Sequence, residues 1–170
     1  MTIVELSAAD VESHLDALAQ LLLDAHETGM ALGLAAPLTI DSARAAYENT
    51  AERLSQDRIL LAAFDDDELV GAVQLSRADA GNGRHRAEVQ RLVVRGDHRG
   101  RGVGRALMEA VVDEARKREL KLLWLTTHAD TAADRIYERL GWSRAGVIPD
   151  YAELPNGELA ANAFFYVQLR

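Results

Sequence analysis

The sequence predicts a mixed α/β domain, and three observations carry that prediction. Apolar, β-prone runs alternate with amphipathic helical patterns, a glycine- and arginine-rich turn joins one such run directly to a helix, and no repeat, low-complexity tract or Pro/Ser-rich linker interrupts the 170 residues. That length suits one domain, residues 1–170, with a core large enough to need no staples. The three prolines mark loops rather than a boundary.

Residues 2–6 read as a first strand. Residues 7–27 read as one helix: Ser7 caps it with Asp10 at the third position, and Val11, Leu15, Leu18, Leu22 and Ala25 recur at helical spacing. Two glycines and Pro37 break the pattern over residues 29–38, a loop expected on the substrate side, and residues 40–54 resume it with Ala43, Ala46, Tyr47 and Leu54. Residues 58–64 and 68–77 are apolar runs separated by Asp65-Asp66-Asp67, a hairpin with an acidic turn. After a glycine-rich connection over 80–86, residues 84–94 form the fourth strand. Its polar and apolar residues alternate unevenly, and the two-residue strand period puts Glu88, Gln90 and Leu92 on one face and Val89, Arg91 and Val93 on the other. Residues 103–118 are an amphipathic helix burying Val103, Ala106, Leu107, Ala110, Val111 and Ala115. A buried strand (121–127), a helix (131–140) ended by Gly141 and two closing strands (142–147 and 163–169) complete the order.

Charge and composition narrow the function. The formal net charge is -8, which argues against a broad nucleic-acid footprint, because neutralising phosphates requires a surplus of basic residues on one face. Local basicity differs: Arg84, Arg86, Arg91, Arg95, Arg99, Arg101 and Arg105, with His85 and His98, fall in one stretch. It is a candidate anion site or, alternatively, a solvated surface run. No cysteine is present, which removes disulfides and thiolate chemistry and fits a cytoplasmic setting. Residues 1–10, with Glu5 and Asp10, lack the basic start and apolar run of a signal peptide, and no segment reaches membrane-spanning length. The five histidines are dispersed without metal-ligand spacing, and no Gly-x-Ser-x-Gly elbow is present.

A strand, a glycine turn and a helix make an anion cradle, because the first-turn amides have no intrahelical acceptors. Gly100, Gly102 and Gly104 admit close backbone approach, while Arg99, Arg101 and Arg105 add charge. The run has neither the spacing of a dinucleotide fingerprint nor the Gly-Lys-Ser/Thr of a P-loop. Arg99-x-x-Gly102-x-Gly104 at such a junction resembles the pyrophosphate signature of the GNAT superfamily of N-acetyltransferases. Leu92 and Val94 match that family's apolar pair before the turn, and Tyr137 to Trp142 its tyrosine followed by Gly-aromatic. The runs 123–127, 137–142, 147–151, 155–157 and 164–166 further resemble the branch containing the tabtoxin-resistance acetyltransferase.

The resemblance implies a GNAT fold, a mostly antiparallel sheet splayed between the fourth and fifth strands and flanked by about four helices. It also implies acetyl-coenzyme A as donor, with no metal. The residues around coenzyme A are then Leu92, Val93, Val94, Arg99, Gly100, Arg101, Gly102, Val103, Gly104, Arg105, Asp130 and Tyr137, with the Leu92 amide facing the acetyl oxygen. Glu88 is the candidate base for the acceptor amine, the alternative being an ion pair with Arg86 or Arg91. Tyr137 is the candidate donor to the departing thiolate, the alternative being a core tyrosine. The branch's aspartate is replaced by Thr126, leaving Asp130 or Asp134 as substitutes. Trp124 is expected in the core, and Trp142 and Tyr151 either there or at the substrate. The expected partner is a small-molecule primary amine. A protein N-terminus or lysine is the runner-up, an acyl-coenzyme A sensor the non-enzymatic alternative, and a homodimer the expected assembly.

Overall fold

The computed structural model describes residues 1–30, 32–35, 37–154 and 156–170, leaving aside the side chains of 132 and 133. Ala31 and Ala36 of the expected substrate-side loop, and Pro155 of the C-terminal run, lie outside that set. In chain order the elements are β1 (Thr2–Glu5), α1 (Ala8–Ser13), α2 (Leu15–Glu27), α3 (Ile40–Glu52), β2 (Arg58–Asp65), β3 (Glu68–Arg77) and β4 (Arg86–Val94). They continue as α4 (Val103–Lys117), β5 (Leu122–His128), α5 (Ala132–Arg139), β6 (Ser143–Glu153) and β7 (Leu159–Gln168). One sheet runs β1-β2-β3-β4-β5-β7-β6, antiparallel except at β4-β5. The expected α/β architecture is present, with five helices rather than about four.

Both faces of the sheet centre are buried, which explains the near-continuous apolar runs of β2 and β3. Ile59, Leu61, Ala63, Val73 and Leu75 pack with Leu107, Met108 and Val111 of α4, and Leu60, Ala62 and Ala72 pack with Leu18, Leu22 and Tyr47 of α2 and α3. On α4 the buried stripe gains Met108, which the spacing argument omitted, while Ala106 and Ala110 are only partly covered.

Residues 7–27 are two helices, not one. The capping box of Ser7 and Asp10 forms as expected, but the chain leaves helical geometry at His14 (φ -111, ψ 15). The Asp10 carbonyl explains the break: besides the His14 amide at 3.1 Å it receives Ser13 Oγ at 2.9 Å and His14 Nδ1 at 2.9 Å, and these two side-chain bonds compete with a continuing ladder. The closing hairpin is also longer than its hydrophobic pattern, because β6 is an edge strand whose side chains are almost all exposed. Its register slips between Ile148 and Ala152, around Pro149 and Asp150 (φ 52), where proline is tolerated in a bulged edge.

Gly71 sets the distance between sheet and helix. A Cβ there would lie 2.9 Å from the Val93 carbonyl oxygen, 3.0 Å from Leu107 Cδ1 and 3.2 Å from Val103 Cγ1. Among the described residues no helix is long and apolar enough to cross a membrane. Gly71→Ala is expected to lower unfolding stability by about 1–3 kcal/mol through overpacking, measured by urea denaturation, whereas an unchanged midpoint would mean that α4 yields freely.

Candidate functional site

The site originates in a fault in β4. Ala72 pairs with Val93 and Gln74 with Gln90, so the single residue Val73 faces two, Arg91 and Leu92. Arg91 takes the left-handed conformation (φ 51) that this β-bulge requires. On the other side, the parallel ladder with β5 covers only Arg86–Glu88 against Leu122–Trp124, and the strands then diverge. A cavity of about 670 Å³ opens in the gap, lined by β4, β5, the turn before α4, the segment after α2, and α5.

The bulge inverts the pleat, correcting the expected facing. Ala87 and Val89 lie in the core under α4, whereas Val93 lies in the core under α2 and α3, and Leu92 and Val94 pack toward α4. Glu88 and Gln90 therefore share a face with Val93 and not with Leu92. Glu88 still meets Leu92 at the cavity, because both line it from either side of the fault.

Glu88 ends a chain of side chains spanning three elements. Thr50 Oγ1 of α3 donates to Gln74 Oε1 (3.1 Å), Gln74 Nε2 to Gln90 Oε1 (2.7 Å) and Gln90 Nε2 to Glu88 Oε2 (2.7 Å). Gln74 is 3% and Thr50 2% exposed, so the chain holds the carboxylate in one place. Burial raises the Glu88 pKa above the ordinary carboxylate value, and the bond from Gln90 partly offsets this. Its partner is thus an amide rather than Arg86 or Arg91. The sequence reading missed Gln74 and Thr50; a glutamine within an otherwise apolar, doubly buried strand was the available signal.

The glycine turn forms the opposite wall. Gly100 (φ 77) and Gly102 (φ 87) adopt conformations that side chains disfavour, and a Cβ at either would meet nothing within the protein. Gly102 caps α4 without a side-chain bond, and the first backbone amide to bond it is that of Ala106 (3.0 Å). The turn is thereby an open anion cradle, the feature a coenzyme A pyrophosphate requires. Gly100, Gly102, Val103, Gly104, Arg99 and Arg105 line the cavity. Arg101 points to solvent, Val93 is wholly buried, and Asp130 is exposed beyond the lining.

Contacts from the β2-β3 turn brace this cradle. Arg95 donates to Glu68 (2.9 Å) and Asp97 (2.8 Å), and His98 Nδ1 lies 2.7 Å from Asp97 and Nε2 3.5 Å from Asp65. The Arg95 and His98 bonds hold the Asp97 carboxyl well below the usual range. Arg99 Nε reaches back to the Val94 carbonyl at 3.1 Å, tying the turn to its strand. The acidic turn residues, 32 or more positions from Gly100, carried no local sign of this role.

Tyr137, 9% exposed, lines the cavity and packs against Trp142 and Phe165, with burial pushing its phenol up to about 12. It remains protonated and able to donate at neutral pH. Thr126 lines the cavity, whereas Asp134 is buried outside it, bonded to the Asp130 amide (2.9 Å) and Arg144 (3.3 Å). Trp142 is core. Trp124 is not in either core cluster but stacks on Phe164, which Tyr151 meets edge-on. Among the described residues no group of three acidic or histidine side chains could hold a metal.

Comparison with known proteins places the chain in a family. Residues 16–142 match the acetyltransferase (GNAT) family, and the chain belongs to it. It is 39% identical over 62 residues to the [ribosomal protein bS18]-alanine N-acetyltransferase of Escherichia coli K12, covering 36% of this chain and 42% of that one. It is 34% identical over 94 residues to streptothricin acetyltransferase of Streptomyces lavendulae, covering 55% of this chain and 48% of that one. The matched segments thus span less than half of these relatives. The structure of yncA from Salmonella typhimurium with its cofactor acetyl-CoA superposes with TM-score 0.80 at 22% identity, over 100% of this chain and 94% of that one, sharing the fold.

Gly102→Val is expected to weaken coenzyme A binding by at least about 100-fold in calorimetry, since it loses both the φ and the open amides. Unchanged affinity in a folded variant would remove the turn from the cofactor site.

Proposed function

We propose that the protein is an acetyl-coenzyme A-dependent N-acetyltransferase that transfers the acetyl group to a primary amine of a small molecule by direct attack. The observation that carries this reading is one cavity lined by the glycine cradle, Glu88 and Tyr137 together. The cradle amides, with Arg99 and Arg105, would hold the pyrophosphate, and β4 beyond Glu88, free of a β5 partner, would hold the pantetheine arm and acetyl group. Bound acetyl-coenzyme A supplies an activated acyl group whose C–S bond breaks as a C–N bond to the acceptor forms.

An alkyl ammonium is not a nucleophile, so Glu88 accepts the amine proton directly or through one water. Its raised pKa improves the match between this carboxylate and an amine, and its fixed bond to Gln90 leaves Oε1 for the acceptor. Tyr137, protonated at neutral pH, donates its phenolic proton to the leaving sulfur and regains one through water from the nitrogen, which loses its second proton as the amide forms. The Leu92 amide, at the bulge, supports the developing charge on the acyl oxygen. Of the branch substitutes for a carboxylate, neither Asp130 nor Asp134 lines the cavity, so Thr126 stands there without an acid. The E. coli relative's name, a ribosomal-protein acetyltransferase, favours a protein acceptor as the second reading.

Glu88→Gln is expected to lower kcat/KM about 10²- to 10⁴-fold. In the unsubstituted protein, kcat/KM falls as pH drops through the Glu88 pKa, at a pH above the ordinary carboxylate value; Glu88→Gln removes that limb. A limb surviving the substitution would assign it to another group. Tyr137→Phe is expected to lower kcat about 10- to 100-fold with little change in acceptor KM, measured by thiol release; an unchanged kcat would return Tyr137 to a packing role.

A further inference from the structure

Arg91 is a partly buried arginine with no carboxylate partner among the described residues. Arg44, Arg77, Arg95, Arg118 and Arg144 each pair with a carboxylate. The Arg91 guanidinium instead turns toward α3, where Nη1 donates weakly to the Ala46 carbonyl (3.5 Å) and Thr50 Oγ1 (3.4 Å), both neutral. Burial lowers its pKa, and the charged or ionisable groups it senses are the Tyr47 phenol and a second cation, Arg58, with no carboxylate among them. Arg58 is bonded to Ser76 Oγ at 3.1 and 3.3 Å. The Tyr47 hydroxyl is buried without a hydrogen-bond partner.

A desolvated guanidinium with only long bonds to neutral oxygens is electrostatically incomplete, because burying a charge is costly until an opposite charge joins it. Arg91 nevertheless lines the cavity. It does so on the α3 side with Glu88, away from the glycine cradle, so the anion that completes it is not the donor's pyrophosphate. Glu88 and Arg91 are three residues apart on one strand, both line the cavity, and their side chains bond other partners rather than each other. A ligand with an ammonium and a carboxylate matches both.

We propose that Arg91 anchors a carboxylate on the acceptor, so that the acceptor is a small amino carboxylate, an amino acid or a derivative with its free acid. This rests on the acetyltransferase reading above and deepens it. A protein N-terminus carries a peptide carbonyl where an amino acid carries its carboxylate, and a lysine side chain carries no anion near its amine; either would leave Arg91 unpaired. The bulge gives the anchor its precision, since backbone geometry at residue 91, rather than a flexible loop, sets the guanidinium's starting point.

The test is thiol release from acetyl-coenzyme A with a panel of amino acids, their carboxamides, the corresponding decarboxylated amines and peptides with free N-termini. The free acids are expected to be preferred about 10- to 100-fold in kcat/KM, the worth of a charge-assisted bond. Arg91→Gln is expected to raise KM for the acid and collapse the acid-to-amide ratio toward one, with Arg91→Lys restoring part of it. Amides, simple amines or peptides used as well as the acids would overturn the inference from the unsubstituted protein alone, even if the variants fail to fold. Absence of turnover with every amino acid would also overturn it. Calorimetric binding of acetyl-coenzyme A, together with turnover of any other amine, then distinguishes that failure from failure of the acetyltransferase reading.

Discussion

Everything at the site follows from the short ladder between β4 and β5. Parallel strands stay together only while their amides and carbonyls pair, and here the pairing stops at Glu88 and Trp124. The bulge at Arg91 bends β4 away from its former line and reverses its faces. A gap that would ordinarily be filled by side chains becomes a cavity with unpaired backbone along one edge. The glycine turn, the carboxylate chain and the tyrosine of α5 come from three separate parts of the chain and meet only because this gap exists.

The two walls of the cavity are built by different physics. On the α4 side the wall is backbone: amides at a helix start, glycines at positive φ, and few side chains that need to be exact. On the α3 side it is side chains whose polar ends are held by one another in a buried row, Thr50 to Gln74 to Gln90 to Glu88. The first arrangement tolerates variation at exposed positions such as Arg101. The second does not, because removing one amide from a buried row leaves its neighbour's hydrogen-bonding group unpaired.

This difference explains what was legible in the sequence. The backbone wall announces itself, since glycines at fixed spacing between a strand and a helix have few other uses, and the helices and strands of the central sheet are marked by their periodicity. The side-chain wall was half visible: Glu88, expected from its position on the strand, lies at the cavity, but Thr50 and Gln74 lie on elements that their own patterns mark only as core. The bulge was invisible, because the period-two rule has no term for an extra residue and Arg91 carries no local mark of a left-handed conformation. That one residue inverted the expected relation of Glu88 to Leu92. The break at His14 escaped for a related reason, being produced by side chains bonding to Asp10 rather than by a glycine or proline.

Gly71 has a consequence beyond packing. With no side chain between them, the Val93 carbonyl and the α4 residues Val103 and Leu107 close directly on β3, and the helix has no slack in which to tilt. The orientation of its first-turn amides is therefore decided when the protein folds, not when a ligand arrives. The site is preorganised: the conformational entropy of aligning those dipoles is already spent, and little of an anion's binding energy is diverted into ordering its receptor.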